Sequence, residues 1–147
     1  MTYDNIKAYQ QVNTHSAEFA DPHRLIQMLM EGFVTRTAEA KGAMQRGETE
    51  AKGVAVNKAC RILEGLLDSL DFDKGPEVAG NLSSMYFYML RRVQEAHRTN
   101  DPAGLDEAME LMQELKSGWD DIRAEAVRMG NEPSDGSGEP QRVSVTG

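Results

Sequence analysis

The sequence predicts an all-α protein: an antiparallel up-down four-helix bundle with an N-terminal arm and a disordered C-terminal tail. Three observations predict it. Four segments between residues 21 and 128 carry apolar residues at three- and four-residue steps, the period of one helix face. No stretch alternates apolar and polar residues long enough to be a strand. The breaks between the segments are short, and short connections make sequential helices antiparallel neighbours. The division is therefore 1–20 for the arm, 21–128 for the bundle and 129–147 for the tail.

In the arm, Tyr3, Ile6, Tyr9, Val12 and Phe19 are apolar but separated by polar and small residues. A short helical piece over 5–11 would place Ile6 and Tyr9 on one side. Asp21-Pro22 then reads as an N-cap followed by proline in the first helical turn. The first helix carries Leu25, Leu29, Phe33, Ala40 and Met44 as its core stripe, and Gly47 ends it. Ile26, Met30 and Val34 form a second row beside that stripe.

The second helix is expected over about residues 48–70, with Ala51, Ala55, Ala59, Ile62, Leu66 and Ser69 or Leu70 facing the core. Its second row is Val56, Leu63 and Leu67. Gly53 and Gly65 each cost about 1 kcal/mol of helix propensity relative to Ala, which the long apolar period outweighs. Lys74-Gly75-Pro76 breaks the chain and starts the third helix, and Glu77 suits the positive end of its dipole. Val78, Leu82, Met85, Met89, Val93 and Ala96 form its stripe, flanked by Tyr86 and Leu90. Asn100 closes it and Asp101-Pro102 opens the fourth, whose stripe is Leu105, Ala108, Met112, Leu115, Trp119, Ile122 and Ala126. Met109 and Leu111 lie outside that stripe. From Gly130 the chain becomes rich in Gly, Pro and Ser and poor in apolar residues, the composition of a disordered tail.

A formal charge of −8 argues against nucleic acid and anionic membrane surfaces as partners. No segment suits a bilayer span or a secretory signal, so direct membrane insertion is not expected and the cytoplasm is the expected compartment. The single Cys60 excludes an intramolecular disulfide and reads as a small buried hydrophobe. His15, His23 and His97 lack the Glu-x-x-His spacing of a di-iron bundle, and three scattered His with one Cys do not make a zinc site. No phosphate-binding or nucleophile motif is present. No cofactor, metal or catalytic residue is expected. His97 as a phosphoacceptor is the enzymatic rival.

What remains is an excess of apolar side chains. The second rows either thicken the core or form grooves for amphipathic helices. The sequence leaves these two readings open.

The motifs IKAYQQV (6–12), DPHRLIQMLMEG (21–32), KACRILEGLLDSLDFDKGPEVAGNL (58–82) and MYFYMLRRVQEAHRTND (85–101), with the region of Trp119, resemble the flagellin-specific export chaperones, the FliS family. The resemblance covers about residues 5–123 in order, departing at Met30 and His97. The block SLDF-x-KG-x-E-x-A-x-NL followed by Y-x-YM-x-RR and ND carries most of its specificity. It implies a chaperone that binds the C-terminal segment of flagellin, prevents premature polymerisation and delivers it to the export gate of the flagellar type III apparatus. It also implies the antiparallel bundle, and an arm, with Ile6 and Tyr9, that shifts to admit the client. The alternative is a regulatory adaptor for an anti-sigma factor or another flagellar protein. The expected partner-binding residues are Ile6, Tyr9, Met30, Val34, Val56, Leu63, Leu67, Met109 and Leu111. The free protein is expected as a monomer or weak homodimer.

Overall fold

The computed structural model describes the backbone of residues 21–130 and the side chains of residues 21–121. The arm, with Ile6 and Tyr9, lies outside the described residues, and so does the expected 129–147 tail except for residues 129 and 130, which are helical. The side chains of Ile122 and Ala126 lie outside them too. Four helices make up the described chain: α1 (Pro22–Gln45), α2 (Thr49–Asp68), α3 (Pro76–Thr99) and α4 (Pro102–Gly130).

Local chemistry sets these boundaries. The Asp21 carboxylate accepts a hydrogen bond from the Arg24 amide at 2.8 Å, and Pro22 occupies the first turn. At the other end of α1, Gly47 has φ 73°. The Glu48 amide reaches back to the Ala43 carbonyl at 2.9 Å and the Gly47 amide to Met44 at 3.2 Å. This pair of bonds is a Schellman cap, and its left-handed residue is a glycine because no Cβ has to be accommodated there. Asn100, with φ 54°, does the same for α3, and the Asp101 amide bonds the Ala96 carbonyl at 3.0 Å. The Asp101 carboxylate then accepts from the Ala103 amide to start α4. Between α2 and α3 the turn is held by Asp71, whose Oδ1 accepts from the amides of Asp73 and Lys74.

Helix α1 packs on α2 and α4, and α3 packs on the same two helices, which closes the square of an up-down-up-down bundle. Contacts between ends fix the antiparallel directions. Trp119 of α4 donates through Nε1 to the His23 carbonyl at the start of α1, and Lys41 near the end of α1 pairs with Asp106 near the start of α4. Arg92 late in α3 pairs with Glu107 early in α4.

The stripes read from the sequence mostly meet inside this square. Leu29, Phe33, Ala40, Ala55, Ala59, Ile62, Leu66, Met89, Val93, Ala96, Leu105, Ala108 and Met112 are all buried. Three expectations are corrected. Ala51 is exposed, because Lys52, one position on, turns into the bundle instead. Val78, expected in the stripe of α3, is 58% exposed, because Ala79, one position on and 4% exposed, turns into the bundle instead. Tyr86, read as flanking, is a fully enclosed core residue.

Close approach of α3 and α4 depends on Gly104. A Cβ there would lie 2.8 Å from the Cβ of Ala96 and 3.0 Å from the Arg92 guanidinium. Gly104→Val is expected to force the two helices apart and lower stability by about 1–3 kcal/mol, measurable by urea denaturation.

Candidate partner-binding surface

Interhelical polar pairs mark the seams of the bundle, and the spacing of each row places the expected binding residues on them. Gln27, Glu31 and Lys41 of α1 face Asp120, Lys116 and Asp106 of α4. Val34 belongs to the same row of α1, and Met109 to the same row of α4. These two therefore flank the α1–α4 seam. Lys52 bonds the end of α3, so the four-residue steps Lys52, Val56, Cys60 and then Leu63 and Leu67 follow the α2–α3 seam. Glu107 takes hydrogen bonds from Tyr88 Oη and Arg92 Nε, both at 2.6 Å, and Leu111 lies one turn further along this α3–α4 seam. Val34, Met109, Val56, Leu63, Leu67 and Leu111 thus follow three seams rather than one groove.

Burial separates them further. Met30, Val56 and Leu63 are enclosed in the core, which corrects the expectation that they line an open surface. Here the second row thickens the core. Val34, Leu67 and Leu111 pack against the core with part of their surface still open, and Met109 is also half-buried.

The large uncovered apolar side chains lie elsewhere. Among the described residues they are Val54, Phe72, Val78, Phe87 and Tyr88. Three of the five lie on α3, and Phe72 is in the turn leading into it. Along α3 the buried row runs through Ala96, Val93, Met89, Tyr86 and Ala79, while Met85 and Leu82 beside it are half-buried and Val78 is open. The half-buried Leu67 and Leu70 at the end of α2 lead into the same corner. Periodicity places Val78 in the stripe, but the buried face at this end of α3 is turned one position on, to Ala79.

Electrostatics at the seams is mostly structural. Hydrogen bonds from Tyr88 and Arg92 hold the Glu107 carboxyl below its usual range, and the same contact with Glu107 raises the Tyr88 phenol. Burial, and then Glu64, push the Cys60 thiol up to about 11, so its reactive thiolate is scarce at neutral pH. Among the described residues no group of His, Cys, Asp and Glu is arranged to hold a metal ion, and no helix is long and apolar enough to cross a membrane.

Lys52 is a polar residue that the sequence reading missed. It is 6% exposed and donates to the His97 carbonyl at 3.1 Å and to Asn100 Oδ1. A cation is thereby placed on the negative end of α3. Desolvation, and then Lys52, lower the pKa of His97, whose Nδ1 is buried without a hydrogen-bond partner. Lys52→Met is expected to cost about 1–3 kcal/mol by denaturant unfolding. It should also move the His97 titration upward in an NMR experiment, because a repelling charge is gone.

Sequence comparison adds to this geometry. A sequence profile described as Flagellar protein FliS matches residues 5–126. The chain belongs to the FliS family. It is 48% identical over 118 residues to the flagellar secretion chaperone FliSB of Pseudomonas aeruginosa, covering 80% of this chain and 94% of that protein. It is 39% identical over 127 residues to the flagellar secretion chaperone FliS of Salmonella typhimurium, covering 85% and 94%. With the corresponding Vibrio cholerae protein it shares 37% over 122 residues, covering 82% and 90%. Within this FliS-family chain, the matched region includes the α2–α3 turn, the open corner of α3 and the seams described above.

Proposed function

We propose that this chain is a non-enzymatic export chaperone of the bacterial cytosol. It binds the C-terminal segment of flagellin, prevents its premature polymerisation and delivers it to the flagellar type III export apparatus. Membership of a family whose relatives are named flagellar secretion chaperones supports the role. The observation that carries the binding mode is the apolar row Val78, Leu82 and Met85, open at Val78 and half-buried at the other two, with the exposed Phe72 in the turn before it. An amphipathic helix laid along that row would extend the bundle's core, burying apolar surface on both partners. Val34, Leu67, Met109 and Leu111 are further contacts along the seams. Ile6 and Tyr9 couple client loading to docking at the export gate.

The test is co-elution of the full chain with the purified C-terminal segment of flagellin from the same cell on size-exclusion chromatography. A one-to-one complex is expected. Failure to co-elute, together with capture of an anti-sigma factor by the same surface, would replace this reading with that of a regulatory adaptor.

A further inference from the structure

The open corner of α3 has a charge as well as an apolar row. Asp68 ends α2, Asp71 and Asp73 lie in the turn, and Glu77 stands in the first turn of α3, all four exposed. Between residues 62 and 90 these carboxylates and Glu64 face a single cation, Lys74. The antiparallel order brings the starts of α1 and α3 and the ends of α2 and α4 to the same end of the bundle. Among the described residues, Arg24 at that end pairs with Glu31, and Lys116 pairs with Glu31 and Asp120. Phe72 and Val78 are thus exposed apolar positions in a stretch where carboxylates outnumber cations.

We infer that this corner selects a client helix whose apolar row is flanked by lysine or arginine, docked on Val78, Leu82 and Phe72 with its basic flank against Asp68, Asp73 and Glu77. The inference rests on the flagellin-chaperone reading and names the chemistry of the segment that this surface takes. An apolar row alone would accept any amphipathic helix. These carboxylates add discrimination, because a client with carboxylates in that flank would meet like charge. They also steer encounter, so part of the affinity is sensitive to salt.

The experiment is isothermal titration calorimetry of the full chain with the C-terminal flagellin segment at low and high salt. It is repeated with a combined Asp68→Asn, Asp73→Asn, Glu77→Gln variant. Asp71 is left intact because it holds the turn. The three replaced side chains are exposed, and circular dichroism confirms that the variant is folded. The expected result is binding about tenfold weaker than wild type at low salt, with most of the salt dependence gone. Equal affinity and equal salt dependence in the two proteins would overturn the charge selection while leaving the chaperone reading in place. No binding by the wild-type chain would overturn both.

Discussion

Leu63→Asp is expected to abolish cooperative folding rather than to empty a binding groove. Leu63 has 0% exposure and sits among Met30, Phe33, Leu66, Met89 and other members of the core. A carboxylate there would lose the apolar contacts of leucine and be buried without a partner. The expected cost is about 4 kcal/mol or more, a large part of the stability of a domain this size. Thermal unfolding followed by circular dichroism would show either a collapsed midpoint or no transition. Leu67, one turn further along and half-buried, should tolerate the same change at smaller cost. A Leu63→Asp protein that melts normally yet no longer binds a client would put Leu63 on the surface and contradict the core described here.

The second large effect is expected at Val78. This residue is 58% exposed and Phe72 is 51% exposed, so neither contributes much to the core. Val78→Asp, alone or with Phe72→Ser, should leave the melting temperature nearly unchanged. It should weaken binding of the flagellin segment by at least about tenfold, or ~1.4 kcal/mol, because it puts charge in the middle of the proposed contact. Val54→Asp is the control. Val54 is equally open, at 52%, but lies in the first half of α2, away from the α2–α3 turn. It should change neither stability nor binding. Weakening by Val54→Asp and not by Val78→Asp would move the contact to the outer face of α2.

The contrast between Leu63 and Val78 shows what the sequence could and could not convey. Helix starts were legible because Asp21-Pro22 and Asp101-Pro102 act locally, through one carboxylate and one missing amide hydrogen. The ends at Gly47 and Asn100 were legible because few residues accept a left-handed backbone. Fold class followed from four stripes of similar length. Which row of a helix is covered is a different kind of fact, because it depends on how the helix is turned toward its neighbours. Val78 continues the period of α3 and is open, while Ala79 beside it is buried. Met30, Val56 and Leu63 stand one row off the stripes of α1 and α2 and are enclosed. Each of these helices lies against two neighbours, so its buried arc is wider than a single row.

Lys52 and Gly104 were illegible for the same reason. A lysine in the first turn of α2 carries no mark of the carbonyl and the Asn100 side chain that it meets on α3. A glycine in the first turn of α4 carries no mark of Ala96 lying against it. The family resemblance, in contrast, was carried by ordered blocks of sequence and did not depend on rotations of the helices.

The central claim is that this bundle shelters an apolar helical segment of flagellin on its open α3 row. Calorimetric titration of the full chain with that segment at several temperatures tests it most directly. The account predicts a one-to-one complex with a negative heat-capacity change, reduced in proportion when Val78 and Phe72 are replaced, as burial of an apolar row requires. A complex with no heat-capacity change, or one indifferent to both residues, would contradict it.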